Sequence, residues 1–249
     1  MSVRVVFLGA KPVGFHCFKH LLEQRPELNI EVLALGTRLR PEFDTRFDLA
    51  QLAATHDIPL LDSLDKLPEC DIIYSVQHHE ILKERHIRRA QQISVNLHLA
   101  PLPEYRGCNQ FSFAIWDQAK VFGVSIHEID AQIDHGDVLF EQRFPIPEEC
   151  WVSDLYDRSV AEACSLFEAS LPDIISGNYK KVSQNELMQS RPSSIHYRSE
   201  IAALKQVDLN EGEEQIARRI RATTMPGFEP PYCYIGGKKV YFEIAVSGS

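Results

Sequence analysis

Asn96, His98 and Asp134 are the residues of this chain whose types and placement suit chemistry. The first two stand in S-V-N-L-H, Ser94 to His98, and the third in I-D-H-G-D-V-L, Ile133 to Leu139. Between them runs P-L-P-E-Y-R-G-C-N, Pro101 to Asn109, a loop marked by Pro and Gly. Residues two apart on a strand share a face. Asn96 and His98 are therefore expected to project together, with Val95 and Leu97 packing on the opposite side. A side-chain amide can stabilise an oxyanion, an imidazole can accept a proton, and a carboxylate can orient and tune that imidazole. Taken singly, each residue has a plainer use: Asn96 as a loop cap, His98 as a satisfied core histidine, Asp134 as a turn residue before Gly136. Taken together, and with no Ser or Cys in a recognisable nucleophile elbow, they suit direct transfer of an acyl group to an external nucleophile.

The elements that must position these residues read as an α/β chain. Val3 to Leu8 is a continuous apolar, β-branched run ending at Gly9, the signature of a buried parallel strand. Phe15, Phe18, Leu21 and Leu22 then recur at helical spacing. Ile30 to Leu35, Asp71 to Val76 and Gln92 to Leu97 read as further strands. Helices are expected over Phe47 to His56, after a polar loop with Thr37, Arg38 and Arg40, and over Ile81 to Ala90, with a short apolar segment at Ile58 to Leu61. This alternation predicts a Rossmann-like, doubly wound, mainly parallel sheet. Beyond the central loop come a helix from Gln110 to Gln118 and two strands, Val121 to Ile129 and Val138 to Ile146. Their interleaved polar and apolar residues suggest an antiparallel pair. A long amphipathic helix from Leu155 to Ile175 follows. Residues 1–178 are thus expected to form the catalytic domain. Residues 179–249 are expected to form a linker and a small α+β unit. Tyr179 to Arg198 is polar and aperiodic, as a surface linker would be. After it come a helix near Glu211 to Ala222 and a hairpin, with strands Tyr232 to Ile235 and Lys239 to Ala245 about Gly236-Gly237.

Two other motifs invite chemistry. G-A-K-P-V-G, Gly9 to Gly14, follows the first strand, but it lacks the G-x-G-x-x-G spacing and Pro12 removes a donor, so a plain strand-to-helix turn is expected. Lys11 can still reach a ligand at the carboxyl edge of the sheet. Q-H-H-E, Gln77 to Glu80, suggests a metal site, yet adjacent residues of an extended segment face opposite ways. No metal is expected there, and a loop lining a cofactor pocket is the better reading. The whole chain carries a net charge of −9 over 249 residues, which disfavours a surface that tracks nucleic-acid backbones. The six cysteines are scattered without C-x-x-C pairing, against a zinc or disulfide framework and consistent with a reducing cytosol. Neither a signal-peptide pattern nor a membrane-spanning run is read.

N-L-H, then L-P-E-Y-R-G-x-N, then I-D-x-G-D-V-L, in that order and spacing, resembles the formyltransferases, a family that includes glycinamide ribonucleotide, methionyl-tRNA and nucleotide-sugar members. The C-terminal M-P-G-F-E-P-P-Y-C-Y-I-G-G-K-K-V-Y-F is similar to the short tail of the sugar N-formyltransferases. The resemblance implies N10-formyltetrahydrofolate as donor and, as acceptor, a nucleotide-linked (dTDP, GDP or UDP) amino-dideoxy sugar, foremost a 4-amino-4,6-dideoxyhexose. It also implies a cytoplasmic homodimer serving bacterial surface polysaccharide. By that resemblance His98 accepts the amine proton, Asn96 stabilises the oxyanion and Asp134 tunes His98. Folate lies along Tyr74, Val76, His78, Ile81 and Leu82 and the loop with Asp130 and Ile133, largely through backbone contacts. The sugar nucleotide lies near Lys11, Gln77, His79, Tyr105, Arg106, Gly107 and Asn109. Arg106 could equally brace its loop, and Phe228, Tyr232 and Tyr234 could stack on a base or pack the small unit. A methionyl-tRNA formyltransferase or a formyl-folate hydrolase would use the same three catalytic residues. From other classes, a Rossmann-like NAD-binding protein lacks its glycine fingerprint here, and a non-catalytic binding module requires that the three residues fail to converge.

Overall fold

The computed structural model of the chain describes residues 1–38 and 45–243. Arg40 and the end of the strand expected to reach Ala245 lie outside them. The apolar runs form the strands they predict: β1 (Val3–Gly9), β2 (Ile30–Gly36), β3 (Cys70–Val76) and β4 (Ala90–His98) are parallel to one another. Period two then divides each run between two cores. Val5 and Phe7 of β1 pack with Phe18 of α1 (Lys11–Leu28), Tyr74 and Phe167, whereas Val6 and Leu8 face Leu64, Leu67, Ile73 and Leu82. Such two-sided burial is why β1 and β2 carry one charged residue each, Arg4 and Glu31, whereas β4 holds five polar residues, Asn96 and His98 among them.

Sheet order is β2-β1-β3-β4-β6-β7, in which β6 (Val121–Glu128) and β7 (Val138–Pro145) form the expected antiparallel pair and β6 also runs antiparallel to β4. The long helix α5 (Val152–Ser176) covers the same face as α1, placing Phe167 against Tyr74 at 4.8 Å between ring centroids. The helix α4 (Gln110–Trp116) follows the two-residue strand β5 (Arg106–Gly107).

Two helices are shorter than the sequence predicts. α2 spans Leu49–Ala54, because the Asp48 carboxylate caps it by accepting from the N–H groups of Ala50 and Gln51. α3 is confined to Glu84–Ile87, because Leu82 is drawn into the second core and holds the preceding residues out of the helix.

Residues 179–198 run over the surface, as expected, but carry more regular structure than their aperiodic sequence suggests. Val182 exchanges both backbone hydrogen bonds with Val138, at 2.9 Å each. The helix α6 (Gln184–Leu187) then leads to β8 (Ile195–His196), which pairs in parallel with β5. The polar side chains that hid this role make specific bonds. Arg191 donates to the Leu102 carbonyl and to Glu141, and the Ser194 hydroxyl donates to the Glu104 carbonyl. After the short α7 (Ile201–Lys205), α8 (Glu213–Thr223) brings Ala222 into the main core and lays Arg219 over the Trp116 ring at 4.5 Å. The hairpin β9 (Tyr232–Ile235) and β10 (Lys238–Tyr241) closes through Gly236-Gly237, both at positive φ, as a two-residue turn of this kind demands.

Candidate active site

β4 ends at the carboxyl edge of the sheet, between a parallel and an antiparallel neighbour, and there it presents Asn96 and His98. His98 is buried, and its Nε2 lies 2.8 Å from the Tyr105 carbonyl oxygen. A carbonyl only accepts, so Nε2 carries the hydrogen and Nδ1 is the nitrogen turned toward Asp134, 3.7 Å from Oδ2.

Asp134 sits at left-handed φ 47° in the turn before β7. That turn can close only because residue 136 is glycine: a Cβ there would fall 2.1 Å from the Glu128 carbonyl oxygen. The carboxylate takes three partners. Gly107 donates its backbone N–H at 2.9 Å, His98 stands beside one oxygen, and His127 Nε2 lies 3.5 Å from the other. Burial alone would raise its pKa, but the positive charge of His98 and then His127 in their protonated forms, with the Gly107 N–H, outweighs burial and holds the carboxyl well below the usual carboxylate range.

His127 is the member that sequence reasoning missed. It sits opposite Asn96 in the β4–β6 register. Its Nδ1–H donates to the Glu128 carbonyl at 2.7 Å, and in the neutral ring this leaves the Nε2 lone pair to accept from the Asn96 amide at 3.2 Å. The available signal was a polar residue within V-S-I-H-E, on the strand that partners N-L-H. Asn96, His98 and Asp134 therefore do converge, with His127 as a fourth. Neither histidine is hydrogen-bonded to a Ser or Cys among the described residues. The cluster can donate from an amide to a developing negative charge and move a proton at His98 Nδ1.

The remaining expected residues divide into rim and core. Lys11 and Gln77 meet at the mouth, Nζ to Oε1 at 2.9 Å, and both hold left-handed backbone, φ 64° and 55°. Ile81 and Ile133 are exposed. Asp130 is paired with His135 at 2.6 Å. By contrast, the side chains of Tyr74, Val76 and Leu82 are buried in the cores and can offer a ligand nothing beyond backbone. The Tyr105 ring is likewise internal, with its hydroxyl 3.5 Å from Asp117, and the residue serves the site through its carbonyl. Arg106 donates to the Ser193 hydroxyl at 2.9 Å and Asn109 to the Tyr197 carbonyl at 3.3 Å, so both tie the loop to residues 193–197.

His78 and His79 overturn the expectation that they face apart. Their ring centroids are 4.5 Å apart, because the left-handed turn at Gln77 breaks the strand alternation just before them. One donor atom from each of His78, His79 and Glu80 falls within 4.8 Å of the others, a set able to hold a cation. Burial, reinforced by His79, lowers the His78 pKa to about 4.

Comparison with known proteins bears on this cluster. Among curated relatives, the bifunctional polymyxin resistance protein ArnA of Wigglesworthia glossinidia brevipalpis is 29% identical over 185 residues, covering 74% of this chain and 27% of its own. A GDP-perosamine N-formyltransferase of Brucella melitensis is 29% identical over 171 residues, covering 69% of this chain and 63% of its own. The chain thus spans less than two thirds of the length of either, and methionyl-tRNA formyltransferases are also among the relatives. Among solved structures, WlaRD, a sugar 3N-formyl transferase solved in the presence of dTDP and 5-N-formyl-THF, shares the fold. Its TM-score is 0.79 at 20% identity, over 96% of this chain and 85% of that one. The family model described as formyl transferase matches residues 41–170, just over half of the sequence and inclusive of Asn96, His98, His127 and Asp134. The chain belongs to the formyl transferase family.

Proposed function

We propose that this protein transfers a formyl group from N10-formyltetrahydrofolate to the amine of a nucleotide-linked amino-dideoxy sugar, foremost a 4-amino-4,6-dideoxyhexose destined for bacterial surface polysaccharide. The observation that carries the reading is the Asp134 carboxylate between His98 and His127, with Asn96 beside His127 and no Ser or Cys bonded to either imidazole among the described residues. Without a Ser or Cys activated in that way, the formyl carbon passes directly from donor to acceptor.

The acceptor amine attacks the formyl carbon and a new C–N bond forms. The carbonyl oxygen becomes an oxyanion, which takes a hydrogen bond from the Asn96 amide N–H not given to His127. His98 Nδ1 accepts the proton that the amine sheds, with ionised Asp134 as counter-ion, and returns it to N10 as the C–N10 bond breaks. The products are the formamide and tetrahydrofolate. Held low in pKa, Asp134 keeps its charge throughout. The exposed Ile81 and Ile133 suit the rim of the folate site, and Lys11 suits the diphosphate of the nucleotide. The sugar reading is supported by the GDP-perosamine and 3N-formyl transferase relatives. Net charge −9 weighs against a transfer-RNA acceptor. Activity in the cytoplasm as a homodimer completes the reading.

A panel of dTDP-, GDP- and UDP-linked amino sugars incubated with N10-formyltetrahydrofolate, read by mass spectrometry, tests it. A formyl adduct on an amino sugar is expected. Formate release without any adduct, or formylation of methionyl-tRNA alone, would overturn it.

A further inference from the structure

Asp134 is held from two sides by a segment whose sequence advertises nothing. On the backbone side, Gln184 of α6 gives both amide hydrogens to the catalytic turn, one to the Asp134 carbonyl at 2.9 Å and one to the Gly136 carbonyl at 2.8 Å. Gln184 is only 2% exposed. The reciprocal Val182–Val138 bonds pin the chain two residues before it.

The carboxylate side follows from strand alternation. β8 and the residue before it accept the N–H groups of Arg106, at the Ser194 carbonyl, and Cys108, at the His196 carbonyl. Successive N–H groups of a strand point in opposite directions, so the Gly107 N–H between them is turned away from β8 and into Asp134. Residues 182–196 thus set both the carbonyl and the carboxylate of one catalytic residue. Asp134 holds left-handed φ, a conformation that Asp tolerates better than most residues but that still costs energy its surroundings must offset.

We infer that residues 182–196 are the positioning element of the catalytic carboxylate, and that Gln184 is a positioning residue whose two amide hydrogens fix the turn carrying Asp134. The inference deepens the proposed formyl-transfer function and rests on it for its kinetic consequences. Its structural consequence stands independently. With Gln184 absent, the turn relaxes and Asp134 draws away from its partners. These are His98 on β4, His127 on β6 and the Gly107 N–H on β5. Of the other charged groups about the turn, Asp130 is paired with His135 and Glu128 with Lys181, each at 2.6 Å, and Asp137 is an acid like Asp134, so none of them replaces the lost partners.

Gln184→Met tests this, because methionine keeps the buried volume and supplies no donor; Gln184→Ala is made alongside. Two readouts are taken on the full chain: steady-state formyl transfer, and the titration of the Asp134 carboxyl by carbon NMR on aspartate-labelled protein, assigned with Asp134→Asn. In Gln184→Met, kcat is expected to fall about ten- to a hundred-fold, as sub-ångström misplacement of a catalytic group costs. KM for either substrate should stay within about twofold, since the ligand contacts remain. The Asp134 titration should move up toward the ordinary carboxylate range. A Met variant with wild-type kcat and an unmoved carboxyl would overturn the inference and reduce Gln184 to packing, whatever Gln184→Ala does. If the wild type formylates no acceptor while the carboxyl still shifts in Gln184→Met, the functional reading falls and the positioning role stands.

Discussion

The Asn96 amide and the His127 imidazole meet across the β4–β6 pair, Nδ2 to Nε2 at 3.2 Å, and this contact decides how the amide can act. His127 Nδ1–H is committed to the Glu128 carbonyl, so in the neutral ring Nε2 is the acceptor. The amide is thereby fixed with a nitrogen toward His127, and its other N–H is directed by that choice. An oxyanion donor is worth about 3 kcal/mol. Asn96→Ala is expected to lower kcat by roughly a hundred-fold or more with a modest change in KM. His127→Leu should share part of that loss, about ten-fold, by freeing the amide to rotate. Near-wild-type turnover in Asn96→Ala would remove it from the catalytic set.

Asp134 links the chemistry to stability. Its pKa is held below the usual range, so folding favours its ionised form. That contribution is fully present above the ordinary carboxylate pKa, near pH 4, and is lost as pH falls below it. Asp134→Asn should abolish most formyl transfer, by on the order of a hundred-fold or more. In urea unfolding, the gap between wild type and Asp134→Asn should be widest near neutral pH and narrow as pH is taken from 5 toward 3. A gap that widens on acidification would contradict an ionised Asp134.

Gly107 carries a requirement that no side chain can meet. Its φ is 85°, and a Cβ built there falls 2.2 Å from the His196 carbonyl oxygen. Gly107→Ala therefore combines left-handed strain with separation of β5 from β8. It should destabilise the protein by about 1–3 kcal/mol. Because the Gly107 N–H is the backbone partner of Asp134, kcat should fall as well. Thermal unfolding and turnover measured on one preparation check both; an alanine variant as stable as wild type would show that β8 is not seated as described.

Much of this was legible in the sequence, and the illegible parts share a cause. The strands β1 to β3 announce themselves because burial on both faces demands nearly continuous apolar runs, and Gly236-Gly237 declares its hairpin through a conformation few other residues adopt. Asn96, His98 and Asp134 could be drawn together because each lies at the end of a recognisable run. His127 escaped because the alternation of V-S-I-H-E marks only an ordinary strand, and it is the β4–β6 register, invisible in the sequence, that sets His127 opposite Asn96. Residues 179–198 escaped because their order comes from side chains satisfying distant backbone: Gln184 on Asp134 and Gly136, Arg191 on Leu102, Ser194 on Glu104. Hydrophobic periodicity records burial against a core and is silent about that kind of fixation. The pairing of His78 with His79 depended on a left-handed residue, Gln77, that propensity would not place there.

His78 makes the last prediction. Burial, with His79 beside it, lowers its pKa to about 4 from the usual imidazole value near 6.5, so the folded protein keeps this ring neutral where the unfolded chain would protonate it. Between those two values the unfolded state binds the extra proton, and stability must rise with pH across that window. The full span amounts to roughly 3 kcal/mol, absent above about pH 6.5 as a penalty and fully felt below about pH 4. His78→Gln, which cannot titrate, should flatten the stability profile between pH 4 and 6.5 and make the variant the more stable protein, relative to its own neutral-pH value, at the acid end. Urea unfolding at half-unit steps measures this directly. A wild-type profile that is already flat there, or one whose slope survives in His78→Gln, would show that the proton is taken up elsewhere.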